Sequence, residues 1–301
     1  MILDPLVICF GLGVGVLVGL TGIGGGSLMT PLLILFAGVP PVVAIGTDLA
    51  YGAITKTLGG WRHLRKGTVD LGVSKWLAIG SVPGSLVGVF LVQRLHTAYG
   101  KGFDDVLLIS IAVALTIVAV TILTRALFMP ALVARERHTV ALTRAVRISA
   151  SGLGFVLGLL VGMTSVGSGA LIGLALILVF RLTPHRVVGT DVFHAAILLW
   201  AAGLAHWFTG SVDLVLMANI LLGSLPGVLI GTHLITHVPA AGLRPALGCV
   251  LLGSALGVLS KAGVDVPVWV IPGVPAVVGL AAFAIHRSRT VLTPTTEPAS
   301  A

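Results

Sequence analysis

The sequence predicts an all-α polytopic membrane protein. It is read as two inverted-topology repeats, each a glycine-broken helical hairpin plus about three transmembrane helices, with one extra C-terminal helix. Three observations predict this. Mean hydropathy is +1.12, with 56% hydrophobic and only 9% charged residues in 301; a soluble surface needs roughly a quarter charged. Several apolar runs reach the roughly 20 residues that cross a hydrocarbon core about 30 Å thick. They are rich in Leu, Val, Ala and Gly without period-two alternation, so helices satisfy the backbone in lipid. Finally, a glycine-rich break, Gly19 to Ser27 (G-L-T-G-I-G-G-G-S), recurs 143 residues later from Gly162 (G-M-T-S-V-G-S-G-A).

Leu6 to Leu20 forms one apolar arm and Leu28 to Ala37 a second, with the glycines between them and Gly38-Val39-Pro40-Pro41 closing the unit. Neither arm has the length of a usual span, so a hairpin or re-entrant pair is expected. Helices follow at about 42–61, 71–93 and 104–125, and a basic connector carries Arg135-Glu136-Arg137-His138. The second half repeats the plan: arms 148–163 and 170–180, then helices near 186–205, 213–236 and 241–260. An unpaired helix at about 267–286 ends it, followed by a polar Pro/Thr-rich tail from Thr290 expected to be disordered. The expected divisions are repeat 1 over 1–125, connector 126–147, repeat 2 over 148–264, the additional helix 265–288 and the tail 289–301.

Polar identities carry the repeat, because apolar matches are cheap in a membrane chain. At the same offset stand Thr21/Thr164, Thr47/Thr190, Asp48/Asp191, His63/His206, Asp70/Asp213 and Ser81/Ser224. Glycines four apart recur as well, Gly11-Gly15-Gly19 against Gly154-Gly158-Gly162 and Gly80-Gly84-Gly88 against Gly223-Gly227-Gly231. Such stripes let helix backbones approach closely in lipid. Arg62-His63-Leu64-Arg65-Lys66 is basic while its mate, Ala205-His206-Trp207-Phe208-Thr209, holds no Lys or Arg. Corresponding loops then lie on opposite sides, which makes the repeats inverted. With the basic loops cytoplasmic, the N-terminus falls outside and the C-terminus inside a plasma or inner cell membrane, crossed many times.

The net charge of +8 comes from basic residues in short loops. That is the positive-inside pattern, not a nucleic-acid surface. Cys9 and Cys249 lie in apolar segments, so neither a disulfide nor a metal site is suggested, and no cofactor is expected. Met1-Ile2-Leu3-Asp4 lacks a basic signal-peptide start. His233 and His237 stand four apart without a further nearby ligand and are read as chance. The glycine break is followed by no Lys-Ser/Thr pair and is not a nucleotide loop. No ATPase segment is present, so a gradient or a partner is the expected energy source; no feature of the sequence bears on oligomeric state.

A glycine run inside a membrane helix frees backbone groups that must be satisfied again. It has two readings. It is a tight hairpin tip packed against other helices, or it presents the amide-rich N-terminus of the next arm to an anion. The matched breaks favour the second and point to a transporter. The expected substrate-binding residues are Thr21, Gly22, Gly24, Gly25, Gly26, Ser27 and Thr47 from the first half. The second half supplies Thr164, Ser165, Gly167, Ser168, Gly169 and Thr190.

The residues G-L-T-G-I-G-G-G-S-L, then P-L-L, then A-I-G-T-D-L, with a degenerate second copy, resemble the sulfite exporter TauE/SafE family over nearly the whole chain. The resemblance implies a secondary transporter of small anions: sulfite, organosulfonates, or other sulfur-linked carboxylates and sulfonates. The family usually carries Ser or Asn after the G-T pair, whereas this chain has Asp48 and Asp191.

Ionised Asp within a span costs around 2.5–3.5 kcal/mol on the mildest scale and marks ion or proton paths. Burial disfavours the charged form, so Asp48 and Asp191 are proton-coupling candidates. The alternative is that each caps the first turn of its own helix, just after Pro41 and Pro184. His194, three residues after Asp191, joins the candidates as a proton relay or is a packing histidine, since its mate is Tyr51. Lys56 is read as snorkelling to the headgroups beside Arg62 in preference to binding an anion, and Trp61, Trp76 and Trp207 as interface anchors. The expected partners are a small anionic substrate, the bilayer and protons, and no nucleic acid. The expected function is export by alternating access. Uptake, a cation-linked permease using both aspartates, or a membrane enzyme are the competing readings; the last lacks a nucleophile or metal triad.

Overall fold

The structure, a computed structural model, describes residues 3–21, 26–128, 140–234 and 240–292. These residues form eleven α-helices: α1 (Pro5–Thr21), α2 (Gly26–Leu35), α3 (Pro41–Arg65), α4 (Leu71–Tyr99), α5 (Lys101–Phe128), α6 (Arg144–Thr164), α7 (Ala170–Leu178), α8 (Pro184–Phe208), α9 (Leu214–Leu234), α10 (Ala240–Lys261) and α11 (Val270–Leu292). Six of them, α4, α5, α6, α8, α9 and α10, are long and apolar enough to cross a membrane. At 25 residues, α3 is also about 37 Å long at 1.5 Å per residue. It stands outside the six because it carries Asp48, Lys56, Arg62 and Arg65.

The helix ends follow local chemistry. Asp70 caps α4 by accepting from the Val73 N–H at 3.0 Å, and its mate Asp213 accepts from Val215 and Leu216 at the start of α9. Pro41 and Pro184 open α3 and α8, where a missing N–H costs nothing. Helix α6 begins at Arg144 and α5 runs to Phe128, so the expected connector is shorter at both ends; Arg135 to His138 lie outside the described residues. Helix α11 continues to Leu292, past the expected start of the tail, because no proline intervenes before Pro294. His237 also lies outside the described residues.

The two halves embrace each other. Helix α1 packs along α9, and its mate α6 packs along α4. The glycine stripes are what allow this. A Cβ on Gly15 would stand 2.8 Å from the Ser224 Cα, and a Cβ on its mate Gly158 would stand 2.6 Å from the Ser81 Cα. Both distances are shorter than any van der Waals contact, so backbone meets backbone. These contacts are reciprocal: Gly15 against Ser224 is matched by their mates, Gly158 against Ser81. Helices α3 and α8, themselves mates, run antiparallel through the centre. Gly46 meets Ser211, Gly52 meets Leu199, and Gly60 meets Phe193. Most of the buried polar side chains lie on or against this central pair.

Candidate functional site

Asp48 sits in the third turn of α3, and its carboxylate is fully buried. One oxygen, Oδ2, accepts from the Thr30 hydroxyl of α2 at 2.5 Å and from the Ser165 hydroxyl at 2.9 Å. Thr30 lies on the arm after the first break. Ser165 ends α6 at the second break, in the left-handed conformation with φ 61°. That conformation is costly for a side chain larger than glycine, and its mate is Gly22. Asp48 therefore joins the second arm of one half to the break of the other. The remaining oxygen, Oδ1, is buried without a hydrogen-bond partner. Gly26 closes the cluster: a Cβ there would be 2.8 Å from the Ser165 carbonyl oxygen and 3.6 Å from Asp48 Oδ2.

Neither aspartate caps a helix. The caps of α3 and α8 are Pro40 and Thr183, and Asp48 and Asp191 stand two turns deeper. The capping role belongs to Asp70 and Asp213 instead. Asp191 is buried with an unpartnered Oδ1, and it interacts electrostatically with Lys56 of α3 and Arg125 of α5.

Thr47 and Thr190 serve the core. The Thr47 hydroxyl oxygen accepts the Asp213 N–H at 3.0 Å, and Thr190 accepts the Asp70 N–H at 2.8 Å. Each pins the start of a helix in the other half. Thr21 and Thr164 turn their hydroxyls back onto their own helices, donating to the Leu17 and Leu160 carbonyls. Thr164 also accepts from the Val166 N–H, shaping the second break. Ser27 and Ser168 are buried at the starts of α2 and α7. Gly167, with φ 100°, and Gly169 lead into α7, whose first turn donates back to both carbonyls. Gly22, Gly24 and Gly25 lie outside the described residues.

His194 reaches Ser81 of α4, Nε2 to Oγ 3.2 Å, and the mate pair Tyr51 and Ser224 meet across the halves in the same way. His206 donates from Nε2 to the Gly162 carbonyl at 3.1 Å, satisfying the end of α6 just before the break. Its mate His63 instead meets Thr68 at 2.9 Å, near the end of α3. Among the described residues no group of three or more His, Cys, Asp or Glu could hold a metal.

Sequence reasoning passed over Thr30 and misplaced Arg125 and Lys56. Thr30 sits in an apolar arm without a mate, since residue 173 is Gly. Arg125 was placed at the edge of the connector, yet α5 extends past it and leaves it half-buried. Lys56 does not snorkel: it is 7% exposed, and its ammonium is buried without a hydrogen-bond partner. The eight-residue spacing from Asp48 placed both on one face, and that face turns inward against α8.

Six described helices long and apolar enough to cross a membrane, with buried polar side chains gathered on and against α3 and α8, define a multi-pass membrane protein. The chain belongs to the sulfite exporter TauE/SafE family of membrane transporters, whose model matches residues 7–258. It is 40% identical over 250 residues to the Bacillus subtilis (strain 168) protein described as "Probable membrane transporter protein YjnA", covering 83% of this chain and 97% of the relative. A second protein of that organism, "Probable membrane transporter protein YdhB", is 27% identical over 77% of this chain and 91% of its own. The Arabidopsis thaliana "Sulfite exporter TauE/SafE family protein 2" is 36% identical over 107 residues, 36% of this chain and 23% of the relative. No solved structure matches the chain significantly.

Proposed function

We propose that this chain is a secondary transporter, not an enzyme, that exports a small sulfur-containing or carboxylate anion of the sulfite and organosulfonate class. Transport runs by alternating access of two inverted repeats, residues 1–125 and 148–264, around a site formed where the breaks meet. The observation that carries this reading is the bond of Asp48 to Thr30 and Ser165, which ties the first half's second arm to the second half's break. A cluster bridging both halves reports on their relative position, as alternating access requires. The start of α7 faces the second break with the positive end of its helix dipole, which favours an anion.

The antiparallel packing of the mates α3 and α8 supports inversion. The exposed Arg62, Arg65 and Lys66 at the end of α3 support a cytoplasmic location for that end. The N-terminus is then outside and the C-terminus inside. Asp48 and Asp191 exchange protons as the site alternates. They sit within spans, where ionised carboxylates are expensive and functional.

The experiment is flux into proteoliposomes across sulfite, sulfonates and small carboxylates, with and without a pH gradient. The reading expects at least one of these anions to move and the gradient to change its rate. Flux of none of them, from protein that remains folded and monodisperse, sinks the anion assignment.

A further inference from the structure

The second aspartate is surrounded differently from the first, and the difference is charge. The positions that mirror Thr30 and Ser165, the donors to Asp48, are Gly173 and Gly22. In place of hydroxyls, the charges of Lys56 on α3 and Arg125 on α5 act on Asp191, neither as a direct ion pair. The Arg125 guanidinium reaches α7, 3.8 Å from a Cβ placed on Gly173, which is ordinary van der Waals contact. The mirror positions of Lys56 and Arg125 are Leu199 and Val268, which confines the arrangement to one half.

The Lys56 ammonium is more than nine-tenths buried and lacks a hydrogen-bond partner. A buried charge is costly unless it is paired and hydrogen-bonded. The neighbourhood holds two cations against one carboxylate. His194 stands one turn from Asp191 on α8, Ser74 and Ser81 of α4 are neutral, and Arg244 of α10 adds a further positive charge beside Arg125. An anion is the ligand that such a site lacks.

We propose that Lys56 and Arg125 hold the anionic group of the substrate, with Asp191 as their resident counter-ion. This rests on the anion-transport reading and adds which residues bind the charge. Lysine supplies a point charge and arginine a fork that matches two oxygens of a sulfonate, sulfite or carboxylate.

The test is initial-rate uptake of radiolabelled methanesulfonate, sulfite, acetate and sulfate by proteoliposomes, with each variant checked for a monodisperse gel-filtration peak. Lys56→Met is expected to raise the KM of the transported anion tenfold or more, while Lys56→Arg stays within about threefold of the unaltered protein. The charge-balanced double variant Lys56→Met/Asp191→Asn, which keeps folding independent of an unpaired aspartate, is expected to stay impaired. An unchanged KM in Lys56→Met, or full recovery in the double variant, overturns the proposal, because Lys56 then only neutralises Asp191. An unaltered protein that moves none of the four fails at the earlier step, the anion-transport reading itself.

Discussion

The Asp48 carboxylate and the Ser165 hydroxyl lie 2.9 Å apart across 117 residues of sequence. The bond joins the middle of a central helix in one half to the break in the other. It is buried at both ends, so neither group exchanges this partner for water without a movement of the two halves.

Removing the acceptor leaves two buried hydroxyls stranded. Asp48→Ala is expected to destabilise the protein by about 2–6 kcal/mol, since a stranded buried donor costs about 1–3 kcal/mol and two are affected. Asp48→Asn keeps an acceptor oxygen and should cost less. Thermal unfolding in detergent checks the order; equal melting temperatures for the two variants contradict it.

Proton coupling makes a separate demand. Asn at position 48 or 191 cannot carry a proton between states, so flux of the transported anion should lose its response to a pH gradient in at least one of the two variants. Unchanged gradient dependence in both rejects coupling through these groups.

The glycine stripes fix the pairing of α1 with α9 and of α4 with α6. A side chain at Gly158 must push against the Ser81 backbone, and overpacking of that kind typically costs about 1–3 kcal/mol. Gly158→Leu and its mate Gly15→Leu should therefore both lower folded yield, whereas Gly152→Leu, which meets open space, should not. The fraction recovered as a monodisperse peak measures this.

The paired threonines predict a matching loss. Thr47→Val strands the Asp213 N–H and Thr190→Val the Asp70 N–H, each costing about 1–3 kcal/mol. Faster hydrogen exchange at the start of α9 in the first variant, and of α4 in the second, checks the assignment. An unchanged exchange pattern contradicts it.

Much of this was legible before the structure. The bundle followed from hydropathy, and the helices appear within a few residues of their expected places because apolar runs end at Gly, Pro and charge. The reciprocal Thr47–Asp213 and Thr190–Asp70 contacts could be suspected from the matched polar residues, though not their roles, since spacing does not say which hydroxyl meets which N–H. Asp48 was marked as costly in a span, but both its capping alternative and its partners depended on tertiary packing. Thr30 carried no signal, having no mate. Lys56 was misread because its distance from Arg62 is compatible with either face of α3, and only the packing of α8 against that face buries it.

The central claim is that the transported anion passes where the two breaks meet. Its most direct test is the initial flux of that anion in proteoliposomes containing the double variant Thr30→Val/Ser165→Ala, which removes both hydroxyls from Asp48 but keeps its carboxylate. Flux at least tenfold below the unaltered protein, at equal folded yield, is the predicted result. Flux at the unaltered rate would contradict the claim.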